Sequence, residues 1–191
     1  MGMGKRIVIT GVPGVGKTTV VTGALEQLKG EGIEYRSLNF GTFMFEVAAA
    51  DGIVAERDGM RKLDRDQQKR LQKMAAQKMA QVPGNVIIDT HCTVKTPKGF
   101  LAGLPEWVLR ELQPDMVVLV ETDEDQILAR RLSDATRTRD MEGSREIAFH
   151  QEFNRAMAAA YAMVSGCTVV IVKNQDHLLE QAVAQMAAAL R

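Results

Sequence analysis

Gly11-Val12-Pro13-Gly14-Val15-Gly16-Lys17-Thr18 decides how this chain is read. The stretch fits G-x-x-x-x-G-K-[ST], a loop whose backbone cradles phosphate groups. Gly11, Gly14 and Gly16 let the chain curl until successive N–H groups converge on one anion. Lys17 is placed to reach the β- and γ-phosphates, and the Thr18 hydroxyl to ligate Mg²⁺. Val12, Pro13, Val15 and Thr19 complete the set expected to touch the nucleotide. The flanks agree with this reading. Residues 5–10 are a short β-branched run, which predicts a strand, and residues 18–29 predict a helix ended by Gly30. The positive end of that helix dipole would point into the loop. The stretch therefore predicts binding of a nucleoside triphosphate.

Outward from the loop, four more strands are expected, at 34–40, 85–89, 116–121 and 167–172. Helices are expected between them. Gly41-Thr42 is read as a break after the second strand, followed by a short helix at 43–50 and further helical pieces near 56–62 and 64–82. Asp64 with Gln67 has the spacing of a capping box. This all-helical insert ends at Pro83-Gly84. Residues 90–103 show no clear period and read as an ordered loop over a site. Helices follow at 105–112, 122–132 and 144–165, and Asp176 is expected to cap a last one reaching Leu190. Strands alternating with helices imply a three-layer α/β/α domain around a five-stranded parallel sheet.

Composition sets limits. The 191 residues suffice for one domain that buries roughly 70% of its unfolded surface. Lys plus Arg and Asp plus Glu both number 24, so no global field recruits nucleic acid or an anionic membrane. No apolar run approaches the roughly 20 residues that span a bilayer, and no leader-like stretch opens the sequence. The expectation is a soluble, cytoplasmic protein. Cys92 and Cys167 are expected at opposite ends of a parallel sheet, as reduced packing residues.

Two further signals carry chemistry. Asp89 ends an apolar strand, where an acid beside a phosphate loop holds Mg²⁺. Arg130, Arg131, Arg137 and Arg139 fall within ten residues. Transfer of a phosphoryl group between two polyanions needs such charge, and the planar guanidinium suits it better than an ammonium. A solvated face paired with Asp134, Asp140 and Glu142 is the plainer reading of the same cluster. His91 stands close enough to Asp89 to touch the site, in a structural or supporting role; His150 and His177 read as surface residues, and Trp107 as core. Residues 156–164 are apolar almost all round, so that helix is either wedged centrally or packs on another subunit.

Asn39-Phe40-Gly41-Thr42, 57–63, Asp89-Thr90-His91, 93–99 and 134–140, taken with the phosphate loop, resemble the archaeal adenylate kinase family over nearly the whole chain. The resemblance implies a P-loop kinase fold and the reaction ATP + AMP ⇌ 2 ADP with Mg²⁺. It implies a helical monophosphate-binding insert near 41–82 and a short lid near 133–143. It also implies a cytoplasmic homotrimer. By position, Lys17 and Thr18 would serve ATP and Mg²⁺, with Arg130, Arg137 and Arg139 in the lid and Arg155 adding a second row of charge. The commoner bacterial and eukaryotic pattern has an arginine where this chain has Phe45 and Glu46, and Gly-Phe-Pro-Arg where it has Thr90-His91-Cys92-Thr93. Thr42, Arg61 and Lys95 are therefore expected to hold the acceptor. Another small-molecule or monophosphate kinase would use the same loop, aspartate and arginines. A GTP switch would want Asn-Lys-x-Asp, whereas residues 173–176 run Lys-Asn-Gln-Asp.

Overall fold

The computed structural model describes residues 4–133 and 143–191, without the Arg61 side chain. The strand β1 (Arg6–Thr10) leads into the phosphate loop and α1 (Lys17–Gly30). β2 (Tyr35–Asn39) is followed by α2 (Phe40–Ala50), a 3₁₀ turn at Arg57–Lys62, and α3 (Arg65–Ala80). β3 (Asn85–Asp89) precedes a hairpin of β4 (Thr93–Thr96) and β5 (Gly99–Ala102). Then come α4 (Glu106–Leu112), β6 (Met116–Glu121), α5 (Glu124–Ser133), α6 (Ser144–Ser165), β7 (Thr168–Lys173) and α7 (Leu179–Leu190).

The main sheet has the order β2-β3-β1-β6-β7, and every pairing in it is parallel. Side chains of β1 alternate between its two faces, as a period of two requires. Ile7 and Ile9 join the core shared with Val20, Ala24 and Leu28 of α1 and Ala182, Met186 and Leu190 of α7. Val8 joins the opposite core, with Val108 and Leu112 of α4 and Ala158 and Tyr161 of α6. This is the expected three-layer α/β/α arrangement. A third small cluster, Val47, Ala48, Leu71 and Ala75, lies within the helical insert. The Asp64–Gln67 capping box opens α3 as the spacing predicts.

Four local expectations change. Gly41 and Thr42 do not break the chain after β2; they lie in the first turn of α2, because the Asn39 side chain caps that helix by accepting from Thr42 N (3.0 Å). The stretch 90–103 is an antiparallel hairpin rather than a loop, with Lys95 paired to Phe100. Four-residue strands are too short to show a period, which hid them. Asp176 does not cap α7, which starts at Leu179 without a side-chain cap; its carboxylate takes Arg130 instead. His150 is buried, at 6% exposure, with its Nε2 3.0 Å from Thr93 Oγ1.

Helix α6 is not wedged centrally. Ala158 and Tyr161 face the core, while Met163 is 88% exposed and Val164 half exposed. Both cysteines are buried free thiols, and burial pushes Cys92 up to about 12, which keeps it protonated and inert.

Candidate active site

The loop between β1 and α1 enters the helix through Gly16, in the left-handed region at φ 78°, and no side chain caps the helix start. The first N–H groups of α1 are thus left for an anion. Glycine is required at 16 twice over: by that φ, and because a Cβ there would lie 2.5 Å from Asn174 Nδ2. Thr18 and Thr19 are exposed at the same helix end.

Parallel pairing of β1 with β3 sets Ile9 beside Asp89, so the acid arrives next to the loop. The Lys17 ammonium donates to Asp89 Oδ1, and Asn39 Nδ2 donates to Oδ2 (3.3 Å). Lys17 also reaches Thr90 O at 3.5 Å. Asn39 therefore bonds Asp89 with one end of its amide and caps α2 with the other. A cavity of about 160 Å³ opens beside this group, with Thr18, Thr22 and Ser37 among its walls. His91 is exposed, but partial desolvation, aided by the nearby Lys17 charge and opposed by Asp89, holds its pKa below the ordinary histidine value. Desolvation and the Lys17 charge both disfavour the imidazolium.

The arginines divide. Arg130 donates through Nε to Asp176 (3.0 Å), through Nη1 to Val15 O (3.1 Å) and through Nη2 to Asn174 O (3.0 Å). Arg131 Nε donates to Pro13 O at 2.7 Å. Both brace the phosphate loop from α5. Arg137 and Arg139 lie outside the described residues, as does the Arg61 side chain. Arg155 forms a bidentate pair with Glu121, at 2.8 and 2.6 Å, and Lys173 joins the same carboxylate at 3.1 Å. Burial alone would raise Glu121, whose side chain is only 4% exposed, but those two cations hold its pKa below the usual carboxylate value. Lys95 is 3.5 Å from Glu146, across from the hairpin to α6. Thr42 is half-buried in the first turn of α2.

Asn39, Glu121 and Asn174 were given no role from sequence, although Asn39 opens one of the motifs that carry the resemblance. A positional signal existed for all three. Each sits at or just past the C-terminal end of a strand, the edge where open parallel sheets bind ligands. Among the described residues no group of three His, Cys, Asp or Glu is placed to enclose a metal by itself. The oxygen donors of Asp89 and Thr18 do suit a hard cation that is shared with phosphates and keeps its water.

The profile of a family described as an AAA domain matches residues 10–148. An adenylate kinase of Methanoculleus marisnigri is 64% identical over 191 residues, covering 99% of this chain and 100% of that protein. One from Methanocaldococcus jannaschii is 53% identical over 98% of each chain. One from Methanothermobacter thermautotrophicus is 49% identical, over 97% of this chain and 99% of its own. Among solved structures, a shikimate kinase from Bacteroides thetaiotaomicron superposes with TM-score 0.54 at 15% identity, over 97% and 98% of the two chains. A gluconokinase from Sinorhizobium meliloti 1021 does so with TM-score 0.52 at 14% identity, over 100% and 93%. Those two likenesses speak for the fold alone.

Proposed function

The chain belongs to the archaeal adenylate kinases, and from that membership we infer which of its parts carry out ATP + AMP ⇌ 2 ADP. The observation that carries the reading is a phosphate cradle at the start of α1 beside a carboxylate on the neighbouring strand, Asp89, to which the cradle's own lysine is bonded. The loop 11–19 takes the ATP phosphates, and Lys17 follows the charge that develops on the transferred group. Mg²⁺ would be held through Thr18 and Asp89, where it neutralises phosphate charge. Arg137 and Arg139 act from the lid, and Arg130 adds its charge from behind the loop.

On the acceptor side, the insert near 41–82 receives AMP. Thr42 stands where Asn39 ties the first turn of α2 to Asp89, which brings the insert's root to the site. Arg61 and Lys95 supply cations to the AMP phosphate, and Arg155, fixed by Glu121 at the edge of the sheet, supplies a further one. A coupled assay of ATP against AMP, CMP, UMP and GMP, with Mg²⁺ or with chelator, tests the scheme. AMP should be the preferred acceptor and chelator should abolish turnover. Turnover with another monophosphate exceeding that with AMP would overturn it.

The protein also works as a homo-oligomer, a trimer by family likeness, in the cytoplasm. The edge strand β7 exposes Val169 and Ile171, and the end of α6 packed beside it exposes Met163 and Val164. An unpaired edge with apolar side chains favours association with another copy. No described helix is long and apolar enough to cross a membrane. Sedimentation at low micromolar concentration should show a species heavier than 21.0 kDa; a lone 21.0 kDa species would remove the oligomer from the scheme.

A further inference from the structure

Three side chains from distant parts of the sequence hold the outward carbonyls of the phosphate loop. Arg131 Nε donates to Pro13 O at 2.7 Å. Val15 O accepts from both Arg130 Nη1 (3.1 Å) and Asn174 Nδ2 (2.7 Å). Asn174 is 5% exposed, and its place is set by the sheet, because its own N–H donates to Glu121 O at 2.8 Å just past β7. Its carbonyl accepts from Arg130 Nη2, so the two residues that hold Val15 also hold each other.

A trans peptide is planar, with its C=O and N–H pointing in opposite directions. A Val15 carbonyl held toward Asn174 therefore turns the Gly16 N–H the other way, into the curl of the loop. The Pro13 carbonyl, held by Arg131, does the same for Gly14 N–H. Converging N–H dipoles repel one another until an anion arrives, and glycine resists a peptide flip less than any other residue. A loop left to itself would have to reorganise on binding, and an external hold removes that cost.

We propose that Asn174 is a positioning residue for ATP: from the end of the last strand it holds the Val15 carbonyl outward and so presets the loop's N–H groups for the triphosphate. Arg130 shares the same acceptor, but its charge would also act on the phosphates directly. Asn174 is neutral and buried, so its removal reads the hydrogen bond alone. The inference rests on the adenylate kinase reading only in naming ATP as the ligand.

Calorimetric titration of the parent, Asn174→Asp and Asn174→Ala with ATP and separately with AMP tests it, together with steady-state kinetics. Alanine removes the group without adding charge and so reads the hydrogen bond; aspartate keeps the shape of asparagine but replaces the donor with an acceptor facing Val15 O and adds a negative charge beside the loop. Asn174→Ala should weaken ATP binding and raise the KM for ATP about tenfold, the size of one well-placed hydrogen bond, and Asn174→Asp by at least as much. AMP affinity should stay within about twofold, and kcat at saturating ATP within about threefold, since the hold acts before transfer begins. Unchanged ATP affinity in the folded variants overturns the proposal. So does equal loss of ATP and AMP binding, or failure of both variants to fold, either of which makes Asn174 a structural residue only. A parent that binds no ATP sinks the functional reading too, whereas a parent that binds it alongside two unchanged variants sinks this inference alone.

Discussion

The Lys17 ammonium and the Asp89 carboxylate are hydrogen-bonded to each other at the mouth of the phosphate loop. One comes from the first turn of α1 and the other from the end of β3, 72 residues later. ATP must draw Lys17 off this carboxylate before the lysine can serve a phosphate. The pair is partly exposed, so breaking it costs little stability. Lys17→Ala should leave the thermal midpoint nearly unchanged and lower kcat by about 10²–10³-fold, the loss of one transition-state contact. A coupled assay at saturating substrates checks this, and a kcat within threefold of the parent would remove Lys17 from the mechanism.

The arginines should separate by kinetics. Arg61→Ala is expected to raise the KM for AMP, because a contact to the acceptor phosphate exists before transfer. Arg137→Ala and Arg139→Ala are expected to lower kcat, because their partner charge peaks during transfer. Varying each substrate in turn distinguishes the two patterns. A rise confined to the KM for ATP in Arg61→Ala would refute its placement.

Glu121 makes stability depend on pH in one direction. Its folded pKa lies below the ordinary carboxylate value, so the unfolded chain takes up the proton first as pH falls. The stabilisation it gives is present above about pH 4.3, the unfolded value, and is lost as pH drops through the lower folded value. Glu121→Gln should be less stable than the parent at pH 7, and the difference should shrink below about pH 4. Denaturant unfolding at several pH values reads this; a difference that stays constant from pH 7 to pH 3 would exclude it.

Tyr161 ties the hairpin to the core. Its hydroxyl donates to Cys92 O at 2.6 Å and accepts from Leu104 N at 3.2 Å, bridging the two strand ends of β4–β5. Tyr161→Phe leaves the Leu104 N–H without its partner, while Cys92 O keeps the bond from Gly103 N (2.8 Å), and should cost about 1–3 kcal/mol. A shift of less than 0.5 kcal/mol in equilibrium unfolding would show that water takes the place of the hydroxyl at Leu104 N.

The capping box at the start of α3 should be felt inside the insert. Asp64 Oδ1 accepts from Gln67 N at 2.8 Å, and Asp64 N donates to Gln67 Oε1 at 3.0 Å. Asp64→Ala should cost about 1 kcal/mol and speed amide exchange in the first turns of α3. Exchange in β1, whose strand lies at the centre of the sheet, should be unaffected.

Much of this protein was legible from local rules. The loop 11–18, the strand before it and the helix after it form a contiguous unit, so spacing alone defined them. The runs 85–89 and 116–121 read as strands because burial on both faces demands continuous apolar sequence. The Asp64–Gln67 box was readable for the same reason: its partners are three residues apart. The hairpin 93–102 was not. Its strands are four residues long, and they are held by Tyr161 and by contacts of Thr93 with His150 and Asn154, some 60 positions away.

The site divides along the same line. Sequence by itself placed three groups: Lys17 and Thr18 stand at the start of α1, and Asp89 at the end of β3, as their spacing predicts. Tertiary structure alone decided what those groups touch. Arg130 stands in an arginine-rich run, where only charge can be read, and it is the packing of α5 against the loop that turns its guanidinium onto Val15, Asn174 and Asp176. Asn174 sits 159 residues from the carbonyl it holds. Parallel strands bring their C-terminal ends together from distant parts of the chain. A hydrogen bond made there depends on strand order and register, which no local pattern in the sequence encodes.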